Sequence, residues 1–201
     1  DGETHQGILY LSFFNIIPNL TIMAPKNFKE LEDMLEFATK LNKPVVIRYP
    51  RGGEGKNVFK ENTKIEYGKS EILQEGNDIS ILAIGKMVDR AIDVCNKLKE
   101  DNINAEVINI RFLKPLDKES IIKSVKKTKN CITIEDNILL GGLASNVKEL
   151  LLDNKLDVNI KTFGYPNKFI KHGSVEDIEK KYGLDTESIY NYVINNFKKG
   201  S

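Results

Sequence analysis

An α/β fold in two unequal parts is predicted by this 201-residue sequence. The expectation is a three-layer αβα domain with a mixed sheet over residues 65–199, preceded by a partial parallel α/β unit over residues 1–64. Two observations predict it. Short apolar runs bounded by glycine or proline alternate with apolar stripes at helical spacing, the pattern of strands crossed over by helices. Between residues 52 and 64 this pattern dissolves into Gly, Lys, Glu and Asn, which separates one run of alternation from the next.

Taken in order, Leu31, Met34, Leu35, Ala38 and Leu41 stripe a helix, and Pro44 marks the entry to an apolar strand over 45–47. Beyond the linker, residues 79–84 form an apolar strand that Gly85 ends. Val88, Ala91, Ile92, Cys95 and Leu98 stripe the next helix, and 107–110 returns as a strand. Asp117 caps a helix carrying Ile121, Ile122 and Val125; 131–134 is the next strand, followed by a helix over about 143–152 and a strand over 158–163. Two helices close the chain. Ser174 with Asp177 resembles a capping box for the first, and Ile189, Val193 and Phe197 stripe the second. A sheet of roughly five strands is an ordinary size for such a domain. The first part lacks the strands that should flank it, so its open sheet edge is expected to pair with something or to remain weakly ordered.

Thirty basic against twenty-nine acidic side chains leave a formal net charge of +1, so no global field favours nucleic acid or an anionic membrane. Anion recognition has to be local. No apolar run approaches the ~20 residues of a membrane helix. Cys95 lies in a helical stripe and Cys131 opens an apolar run, without the close spacing of a zinc site or redox pair, so both read as buried, reduced thiols.

The polar motifs are more specific. Asp1-Gly2-Glu3-Thr4-His5-Gln6-Gly7, then Ile17 to Pro25, then Arg48-Tyr49-Pro50-Arg51-Gly52 resemble the later part of the 1-deoxy-D-xylulose-5-phosphate synthases, thiamine-diphosphate enzymes of the transketolase superfamily. Arg111 to Asp117, Glu135-Asp136-Asn137 with Gly141 to Ser145, and Phe169 to Gly173 resemble the same family's carboxy-terminal domain, in the same order. Ordered blocks are far harder to match by chance than any single one. The resemblance runs from residue 1 to about 198; Gly200-Ser201 is read as a possible tag remnant. It implies the end of a pyrimidine-binding domain followed by a transketolase C-terminal domain. Because the chain starts inside the first motif, a piece of a longer enzyme is expected, with its active site cut through.

His5 stands near a helix start, where spacing alone fits a capping or surface histidine as well as an imidazole that handles a substrate hydroxyl. The resemblance implies that Asp1 and His5 line the substrate channel, contact the acceptor sugar and help move protons. Arg51, between a proline and two glycines, is either a solvated loop charge or a planar fork for phosphate. The resemblance implies that it anchors the phosphate of D-glyceraldehyde 3-phosphate. Arg48 would point elsewhere and be ion-paired. Gly141-Gly142 lacks a full phosphate-loop fingerprint and is expected to be a packing turn; Glu135-Asp136 is expected to be a strand-end charge cluster rather than a metal pair, and His172 a turn residue near a domain interface.

The resemblance further implies pyruvate and D-glyceraldehyde 3-phosphate as substrates, thiamine diphosphate with Mg2+ in the intact enzyme, a homodimer, and a bacterial cytoplasmic location or a plastid in a eukaryote. It also implies a role in supplying isoprenoid, thiamine and pyridoxal synthesis. No Gly-Asp-Gly of the cofactor-binding motif occurs here, so no cofactor or metal ligand is assigned and the stretch alone is expected to be inactive. A non-catalytic assembly module, or the same part of a transketolase or a pyruvate dehydrogenase beta subunit, is the alternative.

Overall fold

In a computed structural model of the chain, described for residues 2–59 and 63–197, eight strands and seven α-helices build two sheets among those residues. Asp1, the middle of the predicted linker and the Gly200-Ser201 pair lie outside the described residues.

The first unit starts with two 3-10 turns, Glu3–His5 and Gly7–Leu9, and a short helix α1 (Tyr10–Asn15). Strand β1 (Thr21–Met23) pairs in parallel with β2 (Val45–Ile47) across helix α2 (Phe28–Lys40). The Asn27 side chain caps α2 by accepting from the Glu30 amide. The predicted helix and strand are present here; α1 and β1 carried no readable period.

The second unit is the predicted α/β layer structure. Strands β3 (Glu71–Gln74), β4 (Ile79–Ala83), β5 (Ala105–Asn109), β7 (Asn130–Ile138) and β8 (Asn159–Tyr165) form a five-stranded sheet in the order β3-β5-β4-β7-β8. All neighbours run parallel except β3, which is antiparallel to β5 and makes the sheet mixed. Helices α3 (Met87–Glu100) and α7 (Thr186–Asn196) pack on one face, and α4 (Lys118–Thr128) and α5 (Leu143–Asp153) on the other, each over its own apolar cluster. Asp117, Ser174 and Asp185 cap α4, α6 (Val175–Lys181) and α7 through side-chain oxygens, as the capping signals at Asp117 and Ser174 predict. Both cysteines are buried free thiols, and burial pushes the Cys131 thiol up to about 12. None of the described helices is long and apolar enough to cross a membrane.

The side of β1 away from β2 is filled from within the chain. Arg111 adopts φ +53, which breaks the strand after β5 and turns the backbone. Strand β6 (Phe112–Lys114) then leaves the second unit and pairs antiparallel with β1, giving a sheet in the order β2-β1-β6. Phe112 is fully buried there, with Met23 and Met34, edge-on to Phe37 and Tyr67. A buried ion cluster reinforces the crossing. Arg111 Nε lies 2.7 Å from Glu30 Oε1 and its Nη2 lies 3.1 Å from Glu71 Oε2, while Lys26 Nζ reaches Glu30 at 3.0 Å and Glu71 at 2.7 Å. The Asn109 amide donates to both carboxylates, so the four charges balance and are hydrogen-bonded, the condition under which buried ions are tolerated. Burial pushes the Glu71 carboxyl up, but Lys26 and Arg111 hold it below the ordinary range.

Candidate functional site

A cleft of about 720 Å³ opens where the two units meet. His5 and Arg51, singled out from separate motifs, both line it, together with Gln6, Arg48, Lys86, Asp136 and Tyr165. The walls come from the Glu3–His5 turn, the loop after β2, the start of α3, the end of β7 and helix α6. Gly52 takes φ +125, a conformation that side chains resist, and this lets the loop after β2 turn sharply beside Arg51. His5 is exposed, and its Nδ1 shares a hydrogen bond of 2.8 Å with the Thr4 hydroxyl, which leaves Nε2 as the outer nitrogen. Asp1 falls outside the described residues, so it has no place in this geometry.

Gln6 ties the turn that carries His5 to the far end of the chain. Its side-chain oxygen accepts from Ile170 N at 2.9 Å, and its amide nitrogen donates to Ile170 O. From the Phe169 to Gly173 block, Ile170 therefore lines the cleft. His172 itself is exposed in a bend and does not line it.

Glu135 and Asp136 diverge. Successive strand residues face opposite sides, and β7 uses both. Asp136 points to the cleft and pairs with Arg48, whose Nη1 stands 2.6 Å from Asp136 Oδ1. Arg48 is thus ion-paired, as expected, yet it also forms part of the cleft. Glu135 is wholly buried and accepts from the Leu143 and Ala144 amides at 2.9 and 2.8 Å. It occupies the anion position at the α5 N-terminus, so Gly141-Gly142 is a packing turn and not a phosphate loop. A Cβ at Gly142 would collide with the Glu135 carboxyl, which explains the glycine. Burial pushes Glu135 up to about 8, against the pull of the two backbone amides. The strand-end cluster expected of this pair is corrected: β7 runs on to Ile138, and the two acids serve different neighbours.

Asp136 and Lys86 were missed as cleft residues. Lys86 Nζ lies 2.7 Å from Glu179 Oε1 on α6, and Arg90 Nη2 lies 2.7 Å from Glu179 Oε2, so α6 is held against α3 across the end of the cleft. Burial, with Glu179 and Asp136 adding to it, raises the Tyr165 phenol above its ordinary range. Among the described residues no group of three His, Cys, Asp or Glu side chains is placed to hold a metal ion.

The chain is similar to known proteins along nearly its whole length. The family profile for the transketolase pyrimidine-binding domain matches residues 1–54, and that for the transketolase C-terminal domain matches residues 68–189. A 1-deoxy-D-xylulose-5-phosphate synthase of Caldanaerobacter subterraneus subsp. tengcongensis is 44% identical over 199 residues, 99% of this chain and 32% of that protein. One from Clostridium perfringens is 46% identical over 195 residues, 96% of this chain and 32% of its own length. The chain therefore spans about a third of the curated relatives it matches. Among solved structures, a split-gene transketolase described as an inactive β4 tetramer superposes with a TM-score of 0.90 at 28% identity, covering 98% of this chain and 64% of the other. A Pichia stipitis transketolase variant shares the fold, with a TM-score of 0.75 at 21% identity over 98% of this chain and 28% of its own. Matched over more than half its length by the C-terminal profile and ahead of that by the pyrimidine-binding profile, the chain belongs to the transketolase family, as the counterpart of the carboxy-terminal part of a 1-deoxy-D-xylulose-5-phosphate synthase.

Proposed function

We propose that this chain forms the acceptor side of an enzyme that condenses pyruvate with D-glyceraldehyde 3-phosphate, releasing carbon dioxide and giving 1-deoxy-D-xylulose 5-phosphate. The convergence of His5 and Arg51 on one cleft carries the reading. A permanently charged planar fork suits a phosphate dianion, and a histidine at the same cleft can bond the aldehyde's oxygens and pass a proton near neutral pH. By the same resemblance Asp1 is assigned, with His5, to contact the acceptor and help move protons. In this reading residues 1–64 end a pyrimidine-binding domain and 65–199 form the C-terminal domain. Thiamine diphosphate with Mg2+ supplies the carbanion chemistry in the whole enzyme. The groups that hold it lie outside this sequence, and the chain alone is inactive. The whole enzyme works in the bacterial cytoplasm, or in a plastid if its source is eukaryotic.

Kinetics of the full-length enzyme test this. Arg51→Ala should cost on the order of 2–5 kcal/mol of acceptor binding, with pyruvate handling nearly unchanged. Arg51→Lys should recover part of the loss, because an ammonium cannot make the paired bonds of the fork. An equal rise in KM for both substrates would make Arg51 a loop strut and sink the assignment.

A second reading, an assembly module, is compatible with the first. Tyr10, Phe13, Ile16 and Leu140 leave large apolar side chains exposed around α1, and the split-gene transketolase chain of the same fold is described as a tetramer.

A further inference from the structure

Lys86 stands where the second sheet divides. From β4 the chain passes through α3 to β5 on one side, and from β7 through α5 to β8 on the other, so the carboxyl ends of adjacent, parallel β4 and β7 bound a switch-point crevice. In open α/β sheets ligands lie in such crevices. Here it opens into the cleft of His5 and Arg51. Lys86 comes from just beyond β4, Asp136 from near the end of β7, and both line that cleft.

The neighbouring charges make Lys86 a surplus cation. Asp136 already has Arg48 at 2.6 Å, and Glu179 already has Arg90 at 2.7 Å. Lys86 Nζ lies 2.7 Å from Glu179 Oε1 and 3.9 Å from Asp136 Oδ2, a third cation beside two carboxylates that each keep an arginine. Its departure would orphan neither acid. The side chain is 28% exposed, and a four-carbon stem lets its ammonium move where a guanidinium fork fixed by two bonds does not. A dianion entering the cleft meets both Arg51 and this mobile charge, since both line it.

We propose that Lys86 is a second anion-binding residue of the cleft, leaving Glu179 to contact, together with Arg51, the phosphate of a phosphorylated aldehyde acceptor. The proposal rests on the acceptor reading given above. The alternative role for Lys86 is a strut that holds α6 against α3.

The full-length enzyme separates these roles, with D-glyceraldehyde 3-phosphate and unphosphorylated D-glyceraldehyde compared as acceptors. Lys86→Gln should raise KM for the phosphorylated acceptor roughly tenfold, the loss of one charge-assisted bond, while KM for pyruvate and for D-glyceraldehyde stays put. Lys86→Arg should restore most of the affinity. Glu179→Gln breaks the same bridge from the other side, and by releasing Lys86 should lower KM for the phosphorylated acceptor. The proposal is overturned if Lys86→Gln leaves that KM unchanged, if it affects both aldehydes equally, or if Glu179→Gln raises KM as Lys86→Gln does. Arg51→Ala, assayed in parallel, keeps the two readings apart. If it spares the phosphorylated acceptor while Lys86→Gln does not, the Arg51 assignment falls and the Lys86 contact stands; the reverse pattern removes Lys86 alone.

Discussion

The side chain of Gln6 bonds to both main-chain groups of Ile170, accepting from its amide and donating to its carbonyl, across 164 positions of sequence. One amide group thereby fastens the first motif to the last wall of the cleft. Gln6→Ala leaves two partly buried peptide groups without their partner and should cost about 1–3 kcal/mol. Denaturant titration of this chain should show a lower midpoint at unchanged slope, with faster hydrogen exchange at the Ile170 amide. An Ile170 amide as protected as before would mean that the clasp contributes nothing.

Glu135 gives the chain a pH dependence of defined sign. Its carboxyl rises from the ordinary 4.5 to about 8 on folding, so between those values the folded state holds a proton that the unfolded state has released. The stability this group contributes is fully present below about pH 4.5 and is lost as pH rises through about 8. Glu135→Gln, which keeps the shape and an acceptor for the α5 amides, should flatten the stability profile over that window. Chemical denaturation at several pH values would check it, and a variant with the parent's slope would place the dependence elsewhere.

Arg111 joins β6 to the Lys26, Glu30 and Glu71 cluster. Arg111→Met should cost about 3–5 kcal/mol, because two buried carboxylates would be left with one cation between them. Thermal unfolding measures this, and a loss below about 1 kcal/mol would show that water reaches the cluster.

Self-association was expected from the resemblance and from an open sheet edge; β6 covers the free side of β1, so the structural motive moves to the exposed apolar face around α1. Light scattering at micromolar concentration should give a mass above that of one chain, with an interface of at least ~1,000 Å². Phe13→Lys at that face should return the monomer. A native chain already monomeric would mean that other parts of the enzyme hold the subunits together.

The layered domain was legible where burial is periodic. Residues 79–84 read as a strand because the run is buried on both faces and so is apolar nearly throughout, and Val88, Ala91, Cys95 and Leu98 as a helix because one face of it is buried. Three-residue strands leave no such trace. Phe112-Leu113-Lys114 is too short to show alternation, and its partner β1 lies some ninety positions earlier. Strand β3 hides its inward residue as Glu71, whose burial depends on cations from distant segments. For the same reason Lys86 and Asp136 were invisible as cleft residues: a lone charge in sequence reads as surface, and only the sheet order puts the two at one crevice. His5 and Arg51 were found through motif wording rather than through any period.

The crossing of β6 also bears on the order in which the polypeptide acquires structure during synthesis. A ribosome that has released residues 1–64 has made β1 and β2 but not the strand that flanks β1 on its other side. Nascent chains ordinarily fold domain by domain from the amino terminus. Here the earlier sheet waits for Phe112 to emerge, so the two units mature together and the β1 edge stays open to wrong partners in the interval.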